Sequence, residues 1–297
     1  MGKAEYRQLA DGLTARVAPV WSEEKLMILE AYLKAFAKAC TKVGGWYALD
    51  LFAGSGGNWS QVREVERLSS PQIALQAGEP KAVKVVAAES AGRLHSALEA
   101  RTEAYGDRIV LFKEDANRAV DRMLRAIPVK APTFAFLDPE GSELDWQTVH
   151  AIADHKRGHS RTKIEQLILF PTDTGFMRLA PERPEYVTRI FGNEDWMEIY
   201  ERRVANKLSP DQARGLYVQL YGRGLRRLGY DVVLDRQITK DNGQPMYFLI
   251  FATDHSAGER IMDHCFNQVR VRVAEELGQG QLFTLPEAPR RKRLDEG

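Results

Sequence analysis

The chain has little cysteine, no long apolar run and almost no net charge. Cys40 and Cys265 are its only two cysteines in 297 residues. That excludes a disulfide scaffold and a Cys-rich metal site, and it fits a reducing compartment. No run of about 18 apolar residues exists, the length a membrane-spanning helix needs. Met1 to Val20 lacks the apolar core of a signal peptide. A cytoplasmic protein without a membrane segment is expected. Forty-two Lys and Arg stand against 41 Asp and Glu, a formal charge of +1. Composition therefore gives no sign of wholesale nucleic-acid binding, although a local basic patch stays open. His95, His150, His255 and His264 show no metal spacing, and no metal is expected. No internal repeat is visible.

What is present reads as an alternating α/β chain. Hydrophobic residues make up 44% and charged residues 28%, which suits one large globular domain or one domain with an insertion. Residues 1–21 are mixed and polar and read as a poorly ordered or docking arm. Ser22 reads as an N-cap with Glu23 and Glu24 in the first turn. Leu26, Leu29, Leu33 and Phe36 follow at helical spacing, predicting an amphipathic helix over 22–41. Strands are expected at 46–52, Val83 to Ala88, Ile109 to Lys113, Pro132 to Leu137 and Gln166 to Phe170. Helices are expected at 90–104, 117–126 and 145–155 between them. Residues 58–80, with a Ser-Ser-Pro turn and an apolar segment from Ile73 to Ala77, form a long connection suited to a substrate pocket. Residues 171–210 break the alternation and read as a mostly helical insertion. A helix at 211–228 precedes two β-rich runs, Tyr230 to Ile238 and Met246 to Thr253, around the hairpin signal Asp241-Asn242-Gly243. A helix at 256–277 closes the fold, and 278–297 reads as a mobile tail. The expected fold is a doubly wound, mostly parallel seven-stranded sheet with an antiparallel terminal hairpin.

The chemistry gathers at predicted strand ends, where such sheets bind ligands. Trp46 to Phe52 is an apolar strand carrying Asp50, and it leads at once into Ala53-Gly54-Ser55-Gly56-Gly57. Glycines there let the backbone turn sharply and approach a nucleotide-like ligand. A dinucleotide fingerprint would need Gly at 59, and the chain has Trp59. Glu89 ends the second strand, where a carboxylate can accept from two ribose hydroxyls. It lies 39 residues past Asp50, against about 20 in a compact unit, and the 58–80 connection absorbs the difference. Asp115 ends the third strand, with Ala116 and Asn117 beside it, and can accept from an adenine amine. Each acid also has a plainer reading as a loop cap or a solvated charge. Asp138-Pro139-Glu140-Gly141 ends the fourth strand. Glu140 can act as a general base, or as an acid at the start of the following helix. Pro171 to Met177 reads as a substrate-contacting turn with its aromatic Phe176, or as a helix N-cap. The basic run His155 to Lys163 reads as a phosphate contact or a solvated loop. Arg290-Arg291-Lys292-Arg293 carries no more weight than that.

The loop Asp50-x-Phe52-Ala53-Gly54-x-Gly56 resembles the first motif of class I S-adenosylmethionine (SAM) methyltransferases. Their sheet has seven strands with the last antiparallel. The resemblance implies SAM as cofactor, held by Asp50, Phe52, Ala53, Gly54, Gly56, Glu89, Asp115, Ala116 and Asn117. Asp138-Pro139-Glu140-Gly141 resembles the D-P-P-Y motif of amino methyltransferases, which implies a catalytic role for Asp138, Pro139 and Glu140. There an Asp side chain and a prolyl carbonyl orient the target amine for in-line attack. Glu140 replaces the second Pro, and Gly141 replaces the aromatic that stacks on a flipped base.

The fuller pattern is similar to the three-Cys-motif partner protein (TcmP) family. It is carried by Trp21 to Leu26, Tyr32 to Phe36, the Asp50 loop, Asp115-Ala116-Asn117, Phe136 to Gly141, Leu169 to Asp173 and Phe191-Gly192-Asn193-Glu194-Asp195-Trp196. It spans about 20–255, so 22–277 reads as a class I methyltransferase-like domain. The family name implies a partner with three cysteines that looks like a radical-SAM enzyme; Cys40 and Cys265 are too far apart in sequence to be that motif. The expected function is SAM-dependent methyl transfer, with nucleic acid as the first acceptor class. A small-molecule or protein acceptor is the alternative, as is a non-catalytic role as partner of the Cys-rich protein.

Overall fold

The computed structural model describes residues 5–240 and 242–276. In chain order, two short strands come first, β1 (Tyr6–Gln8) and β2 (Thr14–Ala18), then helix α1 (Val20–Ala39). Strands β3 (Trp46–Asp50), β4 (Gly57–Ser60) and β5 (Val65–Leu68) lead to α2 (Ser70–Gln76). Alternation follows: β6 (Ala82–Ala88), α3 (Gly92–Thr102), β7 (Ile109–Phe112), α4 (Ala116–Arg125), β8 (Thr133–Leu137), α5 (Trp146–Asp154) and β9 (Glu165–Pro171). Three helices, α6 (Asp173–Leu179), α7 (Pro184–Phe191) and α8 (Trp196–Val204), precede α9 (Pro210–Arg227). The chain continues through β10 (Val232–Thr239), β11 (Pro245–Thr253) and α10 (Ser256–Glu276).

Seven strands form one sheet in the order β10-β11-β9-β8-β3-β6-β7. The pairs β3–β6, β6–β7, β3–β8 and β8–β9 are parallel. β11 runs antiparallel to both β9 and β10. The doubly wound, mostly parallel seven-stranded sheet expected from the sequence is thus present. One detail differs: the reversed strand β11 sits one place in from the edge, and β10 forms the edge. Central strands are buried on both faces, which explains continuous apolar runs such as Thr133 to Leu137. Leu49, Val86, Ala135, Ile168 and Ile250 point to one core with α4, α5 and α9. Ala48, Val85, Phe134, Leu167 and Leu249 point to the other with α1, α2 and α10. Period-two alternation assigns the two sets.

The 171–210 segment is helical, as expected, and an aromatic cluster docks it. Phe170, Phe176, Phe191, Tyr217 and Tyr221 pack with ring centroids such as 4.6 Å for Phe170–Tyr221 and 4.7 Å for Phe176–Tyr217. Phe176 is fully buried there, so it is a core residue and not a substrate contact. The Phe191-to-Trp196 motif is likewise scaffold. Gly192 ends α7 at φ +70 and lies against Trp146, and the Trp196 Nε1 donates to Thr188 Oγ1 at 3.0 Å.

Several local expectations are corrected. Of the two readings of the arm, poorly ordered or docking, the first does not hold for residues 6–18: β1, β2, β4 and β5 make a second, four-stranded sheet. β2 pairs parallel with β4, Arg16 opposite Asn58. The 58–80 connection supplies β4 and β5, and Ile73 belongs to helix α2. Ser22 is not an N-cap. The helix begins at Val20 after Pro19, whose carbonyl accepts the Ser22 N–H at 2.9 Å. Met1 to Ala4, Asp241 and the tail 278–297 with its Arg290-to-Arg293 run lie outside the described residues. No described helix is long and apolar enough to cross a membrane.

A Cβ at Gly192 would stand 2.2 Å from Trp146 Cδ1, at a φ that L-residues avoid. Gly192→Ala is therefore expected to cost roughly 2–4 kcal/mol of stability. Urea unfolding should show a lower midpoint at unchanged slope; an unshifted midpoint would contradict the packing described.

Candidate functional site

The chain order of the sheet reverses between β3 and β8, and a cavity of about 350 Å³ opens beside this point. Its walls come from the ends of β3, β6, β7 and β8 and from the four-stranded sheet and α1 above them. Phe52, Ala53, Gly54, Glu89, Asp115, Ala116, Asp138 and Glu140 all line it. The sequence-predicted residues are largely brought together, and four of them stand apart.

Gly54 is the member of the glycine loop that faces the cavity. Its φ is +65, and a Cβ placed there would meet no atom within 4 Å. Gly54 N–H donates to Glu89 Oε2 at 3.0 Å, and Ala91 N–H donates to Oε1 at 2.7 Å. Glu89 thus links the ends of β3 and β6, and each oxygen keeps lone-pair capacity for a ligand. Burial raises its carboxyl above the ordinary range, with Glu140 and Glu143 adding to the shift. Asp115 caps α4, accepting from Asn117 N–H at 3.0 Å and Arg118 N–H at 3.3 Å. Its capping role and its place in the cavity wall coexist.

The four that stand apart have clear reasons. Gly56 faces α3, where its absent side chain makes room for Arg101 and Leu98. Asn117 does not line the cavity. Its Nδ2 donates to the Glu143 carbonyl at 2.7 Å, and its Oδ1 accepts from Asp145 N–H and Thr148 Oγ1. It clamps the 138–145 loop to α4. Pro139 borders a small neighbouring cavity with Gly141 and Tyr221. Asp50 is 3% exposed and lies beneath the loop. Its Oδ1 accepts Phe52 N–H at 3.3 Å, and Oδ2 has no hydrogen-bond partner among the described residues. Burial pushes its carboxyl up to about 7, opposed by the Ser70 hydroxyl and the Phe52 N–H.

Sequence reasoning missed the cavity's cations. Lys25, 7% exposed, donates to Asp138 Oδ2. Burial raises the Asp138 carboxyl while Lys25 pulls it back. Arg16 Nη1 lies 3.0 Å from Glu140 Oε1. The helix after Glu140 starts only at Trp146, so Glu140 is not a first-turn acid. Lys25 carried a signal: it falls one turn before Leu29 on the apolar face, where a lysine needs a partner. Arg16 carried none, because its strand was unread. Six carboxylates (Glu89, Glu114, Asp115, Asp138, Glu140, Glu143) and two cations (Arg16, Lys25) line the cavity. Among the described residues, no group of His, Cys, Asp and Glu could hold a metal.

Arg101 ties this assembly together from α3. Its Nε and Nη2 donate to Asp11 at 2.7 and 3.0 Å, its Nη1 to the Thr14 and Ser55 carbonyls at 2.8 Å each, and its Nη2 also to Leu13 O at 3.1 Å. All five guanidinium N–H groups are used. The basic run at 155–163 sits elsewhere. It joins α5 to the start of β9, the end of the sheet opposite the cavity. Lys156 within it is 2% exposed, and burial lowers its ammonium to about 8. Lys163 Nζ donates to Ala153 O at 3.2 Å. That run is partly structural rather than a free basic loop.

No protein-family model matches the chain, and no curated protein sequence does either. Solved structures resemble it at low identity. A Legionella pneumophila protein is 8% identical with a TM-score of 0.49, over 86% of this chain and 92% of that one. TYW2 from Pyrococcus horikoshii, in complex with MeSAdo, is 14% identical with a TM-score of 0.37, over 85% and 72%. An O-methyltransferase from Bacillus cereus, in complex with SAH, is 13% identical with a TM-score of 0.38, over 78% and 90%. These scores lie below 0.5, so the fold rests on the strand order and register described above.

Two outcomes are expected. Asp50 ionises late in the folded state and early in the unfolded one, so stability is lost as pH rises between about 4 and about 7. Asp50→Asn does not titrate. Its stability relative to wild type should therefore rise across that window by on the order of 4 kcal/mol. A pH-independent difference would contradict the buried, late-ionising carboxyl. Arg101→Met should release the β1–β2 hairpin, so that limited proteolysis cuts within 6–18. Equal resistance of variant and wild type would show that the clamp is dispensable.

Proposed function

We propose that the cavity binds SAM and that the chain transfers its methyl group. The observation that carries this is the Gly54–Glu89 contact at the switch point, under a wall with six carboxylates against two cations. SAM brings a sulfonium and an ammonium, and an acidic wall suits both. Glu89 suits the ribose hydroxyls, and Asp115 with Ala116 suits the adenine edge. Open space over Gly54 suits close approach of a ligand to the backbone. A dinucleotide fits less well. The glycine loop runs into β4 and not into a helix, so no helix N-terminus follows it to receive a pyrophosphate. The acidic wall also repels phosphate.

When bound, SAM supplies an activated methyl on sulfur. The chain's own residues then position the acceptor and exclude water, which is most of what such a transfer needs. Asp138 and Glu140 are the groups on the acceptor side. Nucleic acid was the first acceptor class expected, on the D-P-x-x resemblance and the basic run. The run's place at the far end of the sheet and the acidic wall favour a small molecule or a protein side chain instead. Partnership with a Cys-rich, radical-SAM-like protein rests on the sequence resemblance to three-Cys-motif partner proteins.

Calorimetry with SAM and with NAD is the test. Wild type should bind SAM in preference, and Glu89→Ala should weaken binding about tenfold or more. Absence of SAM binding by wild type would sink the catalytic reading. Asp138→Asn should keep SAM binding and lose methyl transfer, followed with labelled SAM on nucleic-acid, protein and small-molecule fractions. SAM binding with transfer to none of them would favour the non-catalytic partner role.

A further inference from the structure

We infer, on the SAM reading above, that Lys25 makes the acceptor site specific for an oxygen nucleophile, a hydroxyl rather than an amine. Asp138 ends β8, the parallel neighbour of the strand that carries the glycine loop. A free Asp at such a place accepts from an amine N–H and stabilises the positive charge that nitrogen gains as it attacks. Here that carboxylate already has a cation. Lys25 Nζ donates to Asp138 Oδ2, and the side chains are 9% and 14% exposed. The Tyr247 ring lies 5.9 Å from the same ammonium, and Arg16 adds positive potential at Asp138. Glu140 is paired with Arg16 at a more open position. The acceptor wall therefore presents two neutralised acids with their cations in place.

An amine fares badly at such a wall. Its lone pair must face the methyl while the ion-paired Lys25 ammonium stands beside the nitrogen as it becomes positive, and Asp138 no longer offers uncompensated negative charge. A hydroxyl fares well. Its oxygen accepts from the Lys25 ammonium, and its proton passes to the Asp138 carboxylate. The oxygen lone pair forms the new C–O bond, the C–S bond breaks, and its electron pair stays on sulfur. One sulfonium and one carboxylate become one thioether and one carboxylic acid, so charge and atoms balance. Lys25 is a specificity-determining residue in this scheme, because its ammonium decides which nucleophile keeps a usable lone pair.

Phenol and aniline test this, since they differ only in the reacting group. Binding of each to the SAH-loaded protein is followed by ligand-observed NMR, and transfer from labelled SAM by detection of anisole and N-methylaniline. Wild type should favour phenol by about tenfold, the difference expected of one charge-assisted hydrogen bond. Lys25→Met frees Asp138 and should reverse the preference; Lys25→Arg keeps the pair and should keep it. A structural role alone would change the affinity for both rings together and leave their ratio fixed. Should Lys25→Met not fold, wild type and Lys25→Arg still decide. An equal or amine-favouring ratio in wild type, or no binding of either ring while SAM binds, overturns the inference and leaves the SAM reading standing. Failure to bind SAM or SAH overturns both.

Discussion

The arginine at the end of α3 is the constraint on which the site depends. A guanidinium has five N–H donors in a rigid plane, and Arg101 spends all of them on two segments distant in sequence, 11–14 and Ser55. It fixes the Asp11 turn, the start of β2 and the Ser55 carbonyl of the glycine loop in one frame. This gives the loop's glycines different duties. Gly54 faces open space at positive φ. Gly56 and Gly57 are small because Arg101 packs against them, with Cβ positions 3.3 and 3.2 Å from its side chain. One run of glycines thus serves ligand approach at one end and arginine packing at the other.

The frame matters because the four-stranded sheet completes the cavity. Tyr6 and Arg16 come from its first two strands and Asn58 from its third. Lys25 arrives on the helix that follows directly. The acids of the Asp138 motif meet their cations only because these N-terminal elements fold over the sheet. Behind the motif, Asn117 pins the 138–145 loop to α4, and Arg189 grips Asp145 at 2.9 and 2.7 Å. The helical insertion bears on the site through this buttress and through Trp146, which is set against Gly192 and Gly224.

The sheet was legible because its strands are buried on both faces and read as apolar runs separated by helical periodicity. Glu89, Asp115 and Asp138 could be placed because strand ends are visible once strands are. The second sheet was not legible. Its strands are three to five residues long, too short for alternation to stand out. Their pairing joins segments about forty residues apart, as Arg16 to Asn58 shows. Gly56 and Asn117 stand off the cavity wall for a different reason. A motif gives the order of residues along a turn, but the direction each faces depends on what packs behind it, here Arg101 and the Glu143 carbonyl. Phe176 misled in the same way, since adjacency to a polar turn does not fix the face of a helix.

Three carboxyls of the cavity wall, and Asp50 beneath it, are held above their ordinary range chiefly by burial: Glu89, Asp138, Glu143 and Asp50 all shift upward. Each favours protonation, and each costs the fold stability as pH rises. At Asp138 the resident cations Lys25 and Arg16 offset part of this. Among the described residues, Glu89 and Asp50 have no such ion-pair partner, and one Asp50 oxygen is left without a hydrogen bond. A cation bound over Gly54 would lower these carboxyls toward their ordinary range and recover what their burial costs. By linkage, that recovery appears as binding affinity. The cost sits where the fold leaves room for a ligand, as expected when local stability yields to a functional site.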